Sequence, residues 1–181
     1  MPDYVALLRG VNVGGAKKVP MADFRALLGR LGYTDVTTLL NSGNAVYAGG
    51  RGAPVGHAAA IRKAIAGRLR LDVPVIVKSA REFAAIVEGN PFAESAPEHA
   101  RLLVAYVQDS AALATLAPVR ALVRGDEAFA IGKHAAYFHC PAGILQSKAG
   151  EALLGRAGSA ATTRNWATTL KLQALLQARA G

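Results

Sequence analysis

"VTTLLNSGNAVYA", residues 36–48, reads as two short β runs around a turn. VTTLL (36–40) and NAVYA (44–48) are rich in β-branched and aromatic residues, which suit a pleated surface. Ser42-Gly43 between them is a hairpin signal, because glycine tolerates the backbone angles that a tight turn needs. The segments on either side decide the fold. Upstream, YVALLRG (4–10) reads as a strand running into glycine, and Pro20 suits a helix's first turn, where its missing N–H costs nothing. Phe24, Leu27, Leu28 and Leu31 then recur at helical spacing, and Gly32 ends that helix. Downstream, a helix over about 54–71 carries Ile61, Ile65 and Leu69 on one face. VPVIV (73–77) is a further strand, and Ser79 with Glu82 makes a capping box for a helix to Glu88.

Strand, helix, hairpin, helix, strand is the βαββαβ order of a ferredoxin-like half. Residues 89–100, "GNPFAESAPEHA", hold two prolines, two acids and no apolar periodicity, and read as a linker. Beyond it the order recurs. LLVAYV (102–107) is a strand, DSAALATLA (109–117) a short helix, and VRALV (119–123), EAFAIG (127–132) and AAYFHC (135–140) strands. SKAGEALLGR (147–156) is a helix with Ser147 as its cap, SAATTR (159–164) a short strand, and residues 165–178 an amphipathic helix. No residue-level repeat is visible. The expectation is an α+β protein of two ferredoxin-like halves, 1–88 and 101–181, with a C-terminal helix.

The chain has 181 residues, 52% of them apolar, enough for a sizeable core. No apolar run approaches the roughly 18 residues of a membrane helix, and the N-terminus lacks a basic leader and signal core. With one cysteine, Cys140, no internal disulfide or multi-cysteine metal site forms. These features fit a cytoplasmic protein off the membrane, with no cofactor or metal implied. Net charge is +9, spread along the chain: residues 1–90 hold 12 Lys/Arg against 6 Asp/Glu, and residues 91–181 hold 9 against 6. Such a surface attracts nucleic acid, phosphate-bearing ligands or acidic partners; against that stands the reading that arginine rises with alanine and glycine as composition drifts as a whole.

The loop GVNVGGAKK (10–18) invites comparison with phosphate motifs. A P-loop needs Gly-x4-Gly-Lys-Ser/Thr. Gly10 and Gly15 keep that spacing, but Ala16 follows, the lysine comes one late at Lys17, and Lys18 supplies no hydroxyl. The dinucleotide pattern fails as well. What survives is a glycine-rich crossover whose amides, with Arg9, Lys17 and Lys18, suit an anion. The alternative is a tight turn with solvated lysines. Asn41-Ser42-Gly43-Asn44 is explained as a turn, though its amides and hydroxyl could orient a ligand. In TTRNWATTLKL (162–172), Thr162, Thr163 and Asn165 can cap the last helix, whose N-terminus could receive an anion beside Arg164; the alternative is Trp166 as a core anchor and Arg164 as a surface or ion-pair residue.

Adjacent Ser147-Lys148 lacks the S-x-x-K spacing of a catalytic pair. His139 and Cys140 are neighbours on a strand and face opposite sides, and the other histidines are scattered. An RNA-recognition platform needs exposed aromatics on its central strands. Here both faces of the first strand are apolar, which predicts a sheet covered on both sides.

The blocks YVALLRGVNVGG, VPM, SGN and TTRNWATTLKL together resemble a bacterial family of uncharacterised proteins, domain of unknown function 1697, from Tyr4 to about Leu172. The resemblance implies a duplicated α+β unit of ferredoxin-like halves and assigns no activity, so no catalytic residues carry over. This chain departs from the family's frequent Gly-Gly-Lys-Asn-Lys at Gly14-Gly15-Ala16-Lys17-Lys18, and from its more usual Gln before Ser-Gly-Asn.

The leading functional expectation is a binding module for a phosphate-bearing ligand, a nucleotide or nucleic acid. Its candidate contacts are Arg9, Asn12, Gly14, Gly15, Lys17, Lys18, Ser42, Asn44, Arg164 and Asn165, in a cleft between the halves. The crossover and the hairpin can lie at opposite sheet ends, so a shared cleft does not follow from the sequence. Two alternatives stand beside it: an enzyme on a small anionic metabolite, with Arg9 and Lys17 or Lys18 stabilising charge, and a structural or self-associating protein. Catalytic residues and oligomeric state are unassigned.

Overall fold

The computed structural model describes residues 1–15 and 17–181. Ala16, the residue compared above with the P-loop lysine, lies outside them. The chain divides into two compact units, Met1–Phe83 with Ala174–Gly181, and Ala84–Gln173.

In the first unit, strands β1 (Asp3–Leu8), β2 (Thr34–Leu39), β3 (Asn44–Ala48) and β4 (Val75–Ser79) alternate with helices α1 (Met21–Arg30) and α2 (Pro54–Leu69). The sheet order is β2-β3-β1-β4, with every pairing antiparallel. This is the ferredoxin-like arrangement that the element order predicts. Alternation sends Tyr4, Ala6 and Leu8 of β1 into a core with Phe24 and Leu28 of α1 and Ile61 and Ile65 of α2. Val5 and Leu7, on the other face, are also fully buried, so both faces of this strand are covered. Helix α3 (Ala80–Glu88) starts with the expected capping box. The Ser79 amide donates to Glu82 Oε2 at 2.8 Å, and the Glu82 amide donates to Ser79 Oγ at 3.2 Å.

The second unit repeats the strand order. Strands β5 (Leu102–Val107), β6 (Ala128–Ile131), β7 (Ala135–His139) and β8 (Ala161–Asn165) pair as β6-β7-β5-β8, again antiparallel. Helix α4 (Lys148–Leu154) is capped by Ser147, whose hydroxyl accepts from the Gly150 amide at 3.0 Å. The first crossover differs from expectation. VRALV (119–123) is not a strand: a 3-10 helix runs over Ser110–Leu122, through Pro118. Its buried residues are Leu113, Leu116 and Val119. That three-residue period matches the 3.0 residues per turn of a 3-10 helix, so each turn puts one apolar side chain on the sheet. A β-branched run at 119–123 is a local strand signal that this packing overrides.

Helix α5 (Trp166–Ala180) begins in the second unit, and its residues from Ala174 onward count with the first. There Arg179 pairs with Asp3 at 3.1 Å and donates to the Asp35 carbonyl. Asp35 has φ +50° and lies where the β2–β3 register shifts, between Thr34 and Thr37. The guanidinium thus holds a bulged edge strand to β1. Replacing Arg179 by alanine is expected to cost about 1–2 kcal/mol, since a mostly shielded ion pair and a carbonyl's donor are lost together. Urea denaturation with an unchanged m-value checks this. An unaltered midpoint would mean that the helix end contributes nothing.

Candidate functional site

The crossover and the hairpin meet at one sheet end. Antiparallel pairing of β1 with β3 sets Leu7 opposite Asn44, so the end of one strand lies beside the start of the other. The Leu8 amide donates to the Gly43 carbonyl at 2.8 Å, and the Arg9 amide donates to the Pro74 carbonyl at 3.0 Å. The loop 9–19, the turn 40–43 and the segment before β4 therefore share this end.

Asn12 organises the loop. Its backbone has φ +56°, a conformation that asparagine tolerates better than most residues. Its Oδ1 accepts from the Val19 amide at 2.9 Å, and its Nδ2 donates to the Val19 carbonyl at 2.8 Å and the Asn41 carbonyl at 2.7 Å. The Asn12 amide also donates to the Lys17 carbonyl at 2.8 Å. Val11 and Val19 are buried on either side, while Val13, Gly14, Gly15, Lys17 and Lys18 are exposed. The result is an arch, pinned at its base and open at its tip.

Charge gathers around it. The Lys17 ammonium donates to the Asp72 carbonyl. The Asp72 carboxylate accepts two bonds from Arg62, at 2.7 and 2.9 Å. The hydrogen bond from Arg62 holds the Asp72 carboxyl below its ordinary value, and the Arg62 and Lys17 charges add to that. Arg70, exposed in a left-handed conformation, closes α2 beside this pair. Arg9, Lys17 and Lys18 of the loop thus lie with Arg70, the C-cap of α2, while Arg62 of α2 reaches this end through its bonds to Asp72.

Ser42 and Asn44 lie at the same end, but their side chains build the turn. Asn44, fully buried, donates from Nδ2 to the Leu39 carbonyl and to Ser42 Oγ, each at 2.8 Å. Arg164 and Asn165 belong to the second unit. Arg164 on β8 is buried and donates from Nη1 to Thr162 Oγ1 and the Thr163 carbonyl, each at 2.8 Å. Burial pushes its pKa down to about 10. Asn165 caps α5, its Oδ1 accepting from the Thr168 amide at 2.9 Å. Cys140 is buried, and burial pushes its thiol up to about 11, a poor nucleophile at neutral pH.

Sequence reasoning missed Arg62, Arg70 and Asp72. The signal was slight: a helix whose last turn is basic and which is followed by Arg-Leu-Asp just before a strand. Among the described residues, no helix is long and apolar enough to cross a membrane.

No curated protein matches this chain. A solved structure, "conserved bacterial protein SP0830 from Streptococcus pneumoniae", is similar at 25% identity with a TM-score of 0.80, covering 97% of this chain and 98% of that one. A family model described as "Protein of unknown function (DUF1697)" matches residues 1–137, which take in the whole first unit's sheet, the pinned arch and most of the second sheet. The chain belongs to that family.

Proposed function

We propose that the arch end of the first unit binds a phosphate-bearing ligand, the backbone of a nucleic acid or the phosphates of a nucleotide. One observation carries this: Gly14 and Gly15 stand open at the tip of an arch pinned by Asn12, with Lys17 and Lys18 exposed on its return limb. An added Cβ would meet nothing within 4 Å at Gly15, and Gly15 lacks the positive φ of Gly14. Packing and backbone strain therefore do not explain glycine at position 15. Close approach of a ligand to the backbone would.

The test is fluorescence anisotropy with labelled single- and double-stranded DNA and RNA at low and moderate salt, beside a thermal-shift series with nucleotides. Binding should weaken steeply with salt. Lys18→Glu should lower affinity and reduce the salt slope by about 1, as expected when one phosphate contact is lost. Gly15→Ala should leave urea stability within about 0.5 kcal/mol and still weaken binding. No binding to any probe at low salt, or affinities untouched by both substitutions, would remove the proposal.

A further inference from the structure

The other end of the same sheet holds an aromatic cluster around His57, the one histidine of the first unit. The imidazole lies in the first turn of α2, buried. Ring centroids of Tyr4, Tyr33 and Tyr47 lie 4.2, 5.1 and 6.0 Å from it, with Tyr33 almost parallel at 4°. Its Nδ1 is 3.1 Å from the Tyr47 hydroxyl. The connection Gly49-Gly50-Arg51-Gly52-Ala53 wraps the ring closely: a Cβ at Gly49 would sit 2.8 Å from Cε1, and one at Gly52 would sit 3.2 Å from Nε2. The Tyr4 hydroxyl donates to the Gly52 carbonyl at 3.1 Å.

This connection is rich in glycine, so it has much freedom to lose on ordering. Ala53, at the N-cap of α2, offers no capping side chain, and the first turn carries no acid. His57 and Tyr4 supply side-chain contacts to it, beside the bond from the Gly49 amide to the Pro2 carbonyl. We propose that neutral His57 is a proton-sensitive latch, which keeps the 49–53 connection and the start of α2 closed and releases them when the imidazole is protonated.

The surroundings disfavour the charged ring. The groups facing it are the phenols of Tyr4 on β1, Tyr33 before β2 and Tyr47 on β3, and the Gly50 backbone; Arg51 adds positive charge to the connection itself. Burial holds the Tyr33 and Tyr47 phenols neutral by raising their pKa values. A cation at a helix N-terminus opposes the helix dipole. Burial lowers the imidazole pKa, and a hydrogen bond with Gly50 offsets part of that. A histidine whose folded pKa lies below its unfolded value gives its full stabilisation above about pH 6.5 and loses it as pH falls through the folded value.

Hydrogen exchange on the full chain, at about pH 7.5 and about pH 5 and corrected for intrinsic rates, tests the latch. Protection of the Gly49, Gly56 and His57 amides, which donate to the Pro2 and Ala53 carbonyls, should fall several-fold at the lower pH, with β1 and β4 unchanged. His57→Gln should show the lower protection at both pH values. Tyr47→Phe, which keeps the imidazole, should weaken protection at the higher pH and retain the pH dependence. Equal protection at both pH values overturns the proposal, as does a pH effect that persists in His57→Gln. A loss shared equally by β1 and β4 overturns it too, because that is global unfolding.

Discussion

Gly43→Ala should destabilise the protein by about 3–4 kcal/mol, a large share of the roughly 5–15 kcal/mol that holds a typical domain. Two costs combine. Gly43 has φ +87°, where an L side chain is strained by about 1–2 kcal/mol. Its new Cβ would also lie 2.6 Å from Leu8 Cβ and 2.9 Å from Val11 Cγ2. Leu8 Cβ sits next to the backbone of β1, which is buried and paired on both sides, so relief requires moving the strand. Forcing an extra carbon into such packing costs about 1–3 kcal/mol. The hydrogen bond from the Leu8 amide to the Gly43 carbonyl joins the same two residues and would lengthen with any such shift. Gly14→Ala provides the contrast. Its φ is +57°, but nothing lies within 4 Å of the added carbon, so only the conformational cost of about 1 kcal/mol remains. Urea denaturation of the two variants should separate them by about 2 kcal/mol or more. Equal losses would mean that the hairpin turn is not packed against β1 as described.

Most of the first unit was legible because its signals are local and agree with one another. The hairpin residues, the Phe24–Leu28 and Ile61–Ile65 spacings and the Ser79–Glu82 box each point to the element found. The failure at 119–123 came where two readings of one apolar run compete. Val119 and Leu122 fit a strand locally, and only their spacing from Leu113 and Leu116 shows the 3-10 period. The site was legible in part. Arg9, Lys17 and Lys18 could be placed on a loop from sequence, but the turn came to the same end through strand pairing, which no local signal encodes. Ser42 and Asn44 looked like ligand groups because a turn's own hydrogen bonds use the same atoms that a ligand would. The Arg62–Asp72 pair and the Tyr–His cluster join residues from separate elements, so spacing along the chain gave no notice of them.

Asn12→Ala is expected to cost about 2–3 kcal/mol and to weaken ligand binding although every lysine and arginine remains. The side chain makes three hydrogen bonds, two to the Val19 backbone and one to the Asn41 carbonyl. Each contributes about 0.5–1.5 kcal/mol net, and the partly buried Val19 groups lose their partners when it is removed. Alanine must also adopt the φ of +56° that asparagine accepts more easily. Asn12→Gly separates the two causes: it lacks the same hydrogen bonds but carries no backbone strain, so it should be more stable than Asn12→Ala by about 1 kcal/mol. Asn12→Asp keeps the acceptor for the Val19 amide and turns both donated bonds into a carboxylate facing carbonyls, so it should fall at least as far as alanine. The functional consequence follows from preorganisation. Without the pins the arch samples many shapes, and a ligand must then supply the ordering entropy from its own contacts. Affinity for the best probe should therefore drop in Asn12→Gly with little change in salt slope, the reverse of the Lys18→Glu pattern. A glycine variant that binds as tightly as the parent would show that the arch's shape does not matter to the ligand, and would leave charge alone as the basis of binding.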